Sequence, residues 1–148
     1  MKKVMLLHGV NHNMFGKRDP KQYGTITLDG INKKVDDLAK ELDIEVTNFQ
    51  TNNEGEFVDK IHEAYLEGYD GVMLNAGAWT HYSHAIGDAL RMLECPVIEL
   101  HMSNVHAREE FRKESKTAPA CIWQMCGFGE KGYVLAMEAL EDYITRNK

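Results

Sequence analysis

The sequence predicts an α/β fold of the flavodoxin-like type: a three-layer fold whose five-stranded parallel sheet, strand order 2-1-3-4-5, lies between two layers of helices. Short apolar segments alternate along the chain with longer amphipathic ones, which indicates parallel strands joined by helical crossovers. The chain has 148 residues, 43% of them hydrophobic, enough for one domain with a core. Since no linker or repeat divides it, we expect residues 1–148 to form that single domain.

Five short apolar runs predict the strands. Residues 2–7 form the first strand, residues 44–50 the second and residues 71–74 the third. Residues 97–101 form the fourth strand and residues 120–126 the fifth. In a sheet of this order, ligands bind beyond the carboxyl ends of the strands, near the point where the strand order reverses. Polar residues that directly follow the strands are therefore candidates for a binding site.

An apolar stripe predicts the first long helix. Thr27 is an N-cap residue type, and the apolar residues after it recur at intervals of three and four. They are Leu28, Ile31, Val35, Leu38 and Leu42. Comparable patterns predict helices over residues 55–66, 83–93 and 131–146.

A long polar connection, residues 8–26, separates the first strand from the first long helix. Connections of this length in a small domain are usually functional or disordered. Gly16 and Gly24 bracket a part that could move as a lid, and Arg18 and Tyr23 lie within that part. The structural alternative for Tyr23 is an exposed loop aromatic.

The fourth strand and the segment after it hold the densest group of candidate functional residues. Glu99 and His101 project from the same face of the strand, where the carboxylate can orient the imidazole as a proton donor. Ser103 and Asn104 are N-cap residue types. We therefore expect a helix after them whose terminal N–H groups suit a carboxylate or phosphate.

Arg108 and Arg112 lie four residues apart in the same segment, so that helix would present both on one face. An ordinary strand–helix junction with a solvated charged helix explains any one of these residues alone. A proton donor, an anion-binding turn and two guanidinium groups within a dozen residues favour a functional site.

Two further patterns are better explained as structure. Residues 127–132 match G-x-G-x-x-G, but no strand follows them, so a tight turn is favoured over a dinucleotide site. His81 and His84 lie three residues apart, yet no established zinc-binding spacing is present. We therefore expect neither a dinucleotide nor a metal ion at these positions.

Charge and cysteine content exclude several classes of protein. The net charge of −6 argues against a nucleic-acid-binding or anionic-membrane-binding surface. No apolar run approaches the length needed to span a membrane. The odd number of cysteines, Cys95, Cys121 and Cys126, indicates reduced thiols and a cytoplasmic location.

Several separated motifs resemble type II 3-dehydroquinate dehydratases over essentially the whole chain. They are Asn11 followed by residues 16–24, then residues 75–81, 99–112 and 126–129. The resemblance implies that this chain is a carbon–oxygen lyase of the shikimate or quinate pathway, which converts 3-dehydroquinate to 3-dehydroshikimate. It also implies a flavodoxin-like fold, no cofactor, and a dodecamer built from trimers.

The same resemblance implies catalytic roles. Tyr23 would remove a proton from C2 of the substrate to form an enolate, and His101 would protonate the departing C1 hydroxyl. Asn11 would hold a water against the enolate oxygen, and Glu99 would orient His101.

Substrate-binding roles are also implied by the resemblance. Asn75, Ser103 and the backbone N–H of Met102 would hold the substrate carboxylate. His81 and Arg112 would bind its hydroxyls, together with Asp88 from a neighbouring subunit.

Elementary electrostatics supports a base that is assisted by arginine. A tyrosine with its reference pKa of about 10 is a poor base at neutral pH, and forming a phenolate there requires roughly 3–4 kcal/mol of stabilisation. Arg18 and Arg108 are the obvious sources. A cation ~4 Å away supplies ~1 kcal/mol in bulk water but ~4 kcal/mol at an effective dielectric constant of about 20. The site is therefore expected to close over the substrate and exclude water.

The chain departs from the family pattern at several positions. His8 and Val10 stand where asparagine and proline are usual, His12 where leucine is common, and Gly87 where an arginine usually precedes Asp88. Losing the proline should loosen the approach to Asn11.

Two other hypotheses stay open. The first is a catalytically impaired relative that binds a small hydroxy-carboxylate without turnover. The second is a flavodoxin-like electron carrier, for which the fold by itself is no argument.

Overall fold

A five-stranded parallel sheet forms the centre of the molecule. The computed structural model describes residues 1–147. Its strands are β1 (Lys2–His8), β2 (Ile44–Gln50), β3 (Gly71–Asn75), β4 (Val97–His101) and β5 (Trp123–Cys126). All neighbouring strands are parallel, and their order is β2-β1-β3-β4-β5, so the predicted fold is confirmed. β5 begins later than predicted because Ala118–Ala120 forms a 3₁₀ turn before it.

Helices cover both faces of the sheet. They are α1 (Pro20–Tyr23), α2 (Leu28–Glu41), α3 (Glu54–Leu66), α4 (His84–Leu90) and α5 (Lys131–Arg146). Residues of α2 and α5 pack in one apolar core, and residues of α3 and α4 pack in the other. Because β1 is buried on both faces, its sequence is a continuous apolar run rather than an alternating one. Within the described chain, no helix is long and apolar enough to span a membrane.

Side-chain caps mark the starts of α2, α3 and α4. The Thr27 hydroxyl accepts a hydrogen bond from the Gly30 N–H at 3.1 Å, as the sequence predicts for α2. Asn53 caps α3 and Ser83 caps α4 in the same way. α4 ends at Leu90, three residues earlier than predicted, because the chain there turns back towards β4.

The prediction of a helix after Ser103 and Asn104 is wrong. Two short 3₁₀ turns, Val105–Ala107 and Glu110–Lys113, occupy this segment instead. Asn104 caps the first turn by accepting from the N–H of His106 at 3.2 Å. Arg108 separates the two turns in an extended conformation, because its side chain turns inward to bind other polar groups. No helix terminus is therefore available at Ser103 to bind an anion.

The close approach of β1 and β3 at their carboxyl ends requires glycine at position 9. The Gly9 N–H donates to the Asn75 carbonyl at 2.8 Å. A Cβ atom on Gly9 would lie 2.5 Å from the carbonyl oxygen of Ala76, a backbone atom that cannot move aside cheaply.

We expect Gly9→Ala to lower the free energy of unfolding by about 1–3 kcal/mol, because overpacking against backbone forces the chain to shift. Urea unfolding of the variant and the parent measures the difference. Gly55→Ala is the matched control, because a Cβ there would meet only the Asn53 side-chain oxygen at 3.2 Å. Equal stability of Gly9→Ala and the parent would show that the strand ends can separate freely.

Candidate active site

The carboxyl ends of β1, β3 and β4 open into one cleft with a volume of about 110 Å³. Ten of the twelve predicted site residues line it: Asn11, Arg18, Tyr23, Asn75, His81, His101, Met102, Ser103, Arg108 and Arg112. Of the other two, Glu99 contacts His101, whereas Asp88 lies outside the cleft. The position agrees with the rule that open α/β sheets bind ligands at the switch in strand order.

Tyr23 is held by two guanidinium groups. Arg18 Nη2 donates to the Tyr23 hydroxyl oxygen at 2.9 Å, and Arg108 Nη1 donates to the same oxygen at 2.8 Å. Tyr23 ends the short helix α1, and the glycines on either side, Gly16 and Gly24, both have positive φ. Charge-assisted hydrogen bonds are stronger than neutral ones, so a phenolate would be held more tightly here than a neutral hydroxyl.

Three arginines give the cleft a positive character in a chain whose net charge is negative. They are Arg18, Arg108 and Arg112. Within residues 1–147, Arg108 and Arg112 pair only with the exposed carboxylate of Glu109. Partial burial lowers the pKa of Arg18, and the nearby charges of Arg108 and Arg112 lower it further, although Tyr23 opposes the shift. The cleft therefore suits an anionic ligand.

Glu99 is fully buried and carries a charge that the fold must stabilise. His101 Nε2 lies 3.0 Å from Oε2 of the carboxylate, and Gln124 Nε2 donates to the same oxygen at 2.9 Å. The hydroxyls of Ser115 and Thr117 supply further donors. Burial alone would raise the pKa of Glu99, but the hydrogen bonds from His101, Thr117 and Gln124 outweigh it and hold the pKa below its ordinary value.

The Glu99 contact decides which nitrogen of His101 faces the cleft. Because Nε2 is engaged by the carboxylate, Nδ1 is the nitrogen that a ligand can reach. The His101 ring stacks with His81 at a centroid distance of 6.2 Å. His81 Nδ1 lies 2.8 Å from the backbone carbonyl of Glu114, so this nitrogen carries the hydrogen and Nε2 is an acceptor. Burial lowers the pKa of His81, and the charges of His101 and Arg112 lower it further.

Ser103 and Asn75 provide the neutral polar groups of the cleft. The Ser103 hydroxyl accepts from Arg108 Nη1 at 3.1 Å, so its own hydrogen remains available to an acceptor. Asn75 donates one amide hydrogen to the Tyr133 hydroxyl at 2.9 Å and accepts from the Gly77 N–H at 3.2 Å. The second amide hydrogen of Asn75 is left for a ligand.

Asn11 and Asp88 occupy contrasting positions. Asn11 lies at the cleft with φ +71°, a left-handed conformation that asparagine tolerates, and its N–H donates to Asn52 Oδ1 at 2.8 Å. The Asp88 side chain is 81% exposed, and Arg91 Nη1 approaches it at 3.5 Å. Asp88 therefore contributes nothing to the cleft of its own chain.

Sequence reasoning missed the residues that support the site from behind. Ser115 and Thr117 contact Glu99, and the Lys116 N–H between them donates to the Thr80 carbonyl. No spacing rule connects those segments. Tyr133 did carry a signal, because a hydroxyl on the buried face of α5 needs a partner. Across residues 1–147, no group of three or more His, Cys, Asp or Glu side chains is arranged to hold a metal ion.

Comparison with known proteins gives consistent matches. Residues 2–141 match the model of the family described as dehydroquinase class II. A 3-dehydroquinate dehydratase from Syntrophotalea carbinolica is 54% identical, with 97% of each chain covered. One from Clostridium beijerinckii is 51% identical, covering 94% of this chain and 95% of its own length. The crystal structure of a type II dehydroquinase from Butyrivibrio crossotus has a TM-score of 0.92 at 43% identity, covering 94% of this chain and 97% of that one.

The buried Glu99 makes stability depend on pH. Its folded-state pKa lies below the ordinary value of 4.5, so its ionised form contributes to stability above that pH. The contribution is lost as the pH falls below that value and through the folded-state pKa. Thr117→Val removes a donor at nearly constant volume, and we expect the free energy of unfolding at neutral pH to fall by about 1.5–3 kcal/mol.

Urea unfolding at neutral pH and at an acidic pH below 4.5, where the parent is still folded, tests this expectation. The deficit of Thr117→Val relative to the parent should narrow as the pH falls towards the folded-state pKa of Glu99, because protonation removes the charge that needs the donor. Thr117→Ser keeps the hydroxyl and is the matched control. A deficit that is equal at both pH values would assign the effect to packing rather than to the charge.

Proposed function

The chain belongs to the dehydroquinase class II family, and from that premise we propose that it dehydrates 3-dehydroquinate to 3-dehydroshikimate through an enolate, with Tyr23 as base and His101 as acid. The activity is that of a hydro-lyase. The observation that carries the proposal is the placement of an arginine-bound tyrosine and a carboxylate-bound histidine in one cleft.

The first step is removal of the C2 proton. Tyr23, as a phenolate, accepts the proton, and the electron pair of the broken C–H bond moves towards the neighbouring C3 carbonyl to form an enolate. Arg18 and Arg108 supply the positive charge that a phenolate needs, and both donate to the oxygen that would act. Their effect grows as water is excluded, because the local dielectric constant falls.

The second step is loss of the C1 hydroxyl. The enolate collapses, the C1–C2 double bond forms, and the hydroxyl departs as water after accepting a proton from His101. Glu99 holds the His101 ring through Nε2, which leaves Nδ1 to deliver the proton. An ionised Glu99 also balances the charge of the imidazolium that acts as the acid.

The polar lining of the cleft supports the substrate-binding roles. Ser103 and the second amide hydrogen of Asn75 can donate to the substrate carboxylate, together with the N–H of Met102. His81 and Arg112 line the same cleft, which supports their proposed role in binding the hydroxyls. We assign to Asn11 the water that stabilises the enolate oxygen.

Replacing the base provides the direct test. We expect Tyr23→Phe to lower kcat by at least about 100-fold, because general base catalysis typically contributes 10²–10⁴. The affinity for 3-dehydroquinate should change little. Ultraviolet absorbance follows formation of the conjugated enone product, and Tyr65→Phe, on the exposed side of α3, is the control.

Each outcome of that test leads to a different conclusion. Turnover by the parent and not by Tyr23→Phe supports both the reaction and the base. Turnover by both proteins overturns the assignment of Tyr23. Binding of 3-dehydroquinate by the parent without any product would instead favour the catalytically impaired relative that binds a hydroxy-carboxylate.

Two broader features of the protein extend the proposal. The three cysteines are unpaired, which supports a reducing compartment and hence the cytoplasm. Residues 1–148 are proposed to act as one domain.

We also propose that the chain assembles into a dodecamer built from trimers, in which Asp88 reaches a neighbouring cleft. An exposed carboxylate that lies outside its own cleft can take part in substrate binding only through another subunit. The residue before Asp88 is glycine for a steric reason. A Cβ on Gly87 would lie 2.7 Å from the Lys116 carbonyl oxygen, so the arginine usual at this position would displace the segment that holds Glu99.

Light scattering tests the assembly and should give the mass of about twelve chains of 16.9 kDa each. Asp88→Ala should raise KM, because a substrate contact is lost, while Asp59→Ala on the exposed face of α3 should not. A monomeric mass with full activity would contradict shared active sites.

A further inference from the structure

His12 lies in the wall of the cleft and has no role in the mechanism described above. The residue is 2% exposed, and its ring stacks on Phe15 at a centroid distance of 4.6 Å and an interplanar angle of 17°. Such packing fixes the direction of both ring nitrogens. A buried imidazole at the edge of an active site is therefore a directional hydrogen-bonding group.

The backbone determines which nitrogen of His12 carries the hydrogen. The Gly9 N–H points at His12 Nδ1, 3.0 Å away, as well as at the Asn75 carbonyl. A hydrogen on Nδ1 would collide with that donor, so the ring hydrogen resides on Nε2. Burial lowers the pKa of His12 well below its ordinary value, and the neighbouring His8, Arg18 and His101 lower it further. His12 is therefore neutral.

The Nε2 atom faces the cleft at the turn that follows β3. A Cβ atom on Gly77 would lie 3.1 Å from Nε2 of His12 and 3.1 Å from the carbonyl oxygen of Val10. Val10, His12 and Gly77 all line the cleft. Within residues 1–147, no protein group accepts the Nε2 hydrogen, and the atom is not sealed from solvent, in contrast to Nδ1 of His8. His12 thus presents an unused donor to a ligand.

Phe15 links the donor to the proposed base. Its ring contacts those of His12 and Tyr23, at centroid distances of 4.6 Å and 6.0 Å. Because His12 and Tyr23 both line the cleft, a substrate bound there can contact the donor and the base together. Removing a proton next to a carbonyl places negative charge on the carbonyl oxygen, and a neutral imidazole can stabilise such an oxygen.

We propose that His12 donates its Nε2–H to the carbonyl oxygen that becomes negatively charged when Tyr23 removes the substrate proton, and that His12 is a further catalytic residue. The inference rests on the proposed function. It adds a protein donor to the water assigned to Asn11 at the same oxygen.

Two amide substitutions separate the donor from the structural contact. In His12→Asn, the side-chain oxygen can take the place of Nδ1 and accept from the Gly9 N–H, but nothing replaces the donor at the cleft. In His12→Gln, the amide nitrogen reaches the place of Nε2, and the contact with Gly9 is lost. A structural role predicts that Asn is tolerated and Gln is not, whereas a catalytic role predicts the reverse.

We expect His12→Asn to lower kcat for 3-dehydroquinate by about 100-fold with KM within a few-fold, because the lost interaction is made mainly in the transition state. His12→Gln should recover most of that loss, even if its stability in urea is lower. Enone absorbance gives kcat and KM, and urea unfolding is measured on the same samples.

The other outcomes overturn the inference. Retained kcat in His12→Asn would show that the donor is not used. A higher KM with unchanged kcat would make His12 a ground-state contact only. Equal losses in both variants would assign the effect to ring packing. Absence of turnover in the parent itself would instead remove the proposed function, on which the inference rests.

Discussion

The buried charge of Glu99 is the constraint on which the site depends. An ionised carboxylate removed from water is costly unless hydrogen bonds replace its hydration. The donors come from three places: His101 on its own strand, Gln124 on β5, and the hydroxyls of Ser115 and Thr117. Satisfying Glu99 therefore holds the segment after the second 3₁₀ turn against the sheet. The same segment supplies the Glu114 carbonyl that orients His81, so one buried carboxylate positions two imidazoles.

The cleft contains charges of both signs. Glu99 supplies a buried negative charge that contacts His101. The three arginines supply positive charge, and Glu109, the exposed partner of Arg108 and Arg112, neutralises little of it because exposed ion pairs are weak. In the proposed reaction, a phenolate and a substrate carboxylate complete the balance. The arrangement thus favours an anionic substrate without a basic protein surface.

The architecture was predictable because it depends on patterns that are local in sequence. The continuous apolar run of β1 predicts a buried strand, and the apolar stripe of α2 predicts an amphipathic helix. Thr27 marks the start of that helix because its hydroxyl can cap a backbone N–H. The segment around Arg108 shows where such reasoning stops. Its spacing fits a helix, but Arg108 has an extended backbone and donates to Tyr23 and Ser103, contacts that the spacing does not reveal. Likewise, the donors of Glu99 lie on segments that meet only in three dimensions.

The absence of the family's proline at position 10 shows how one residue can serve structure and chemistry together. Proline would restrict the backbone before Asn11 by fixing φ. Here three contacts of His12 hold the turn. The His12 N–H donates to the Gly9 carbonyl at 3.3 Å, and His12 Nδ1 accepts from the Gly9 N–H. The His12 ring also stacks on Phe15. These contacts oppose the loosening expected from the lost proline. The same contacts occupy Nδ1 of His12 and leave its Nε2–H available at the cleft. The contacts that restrain the turn therefore also orient the proposed donor.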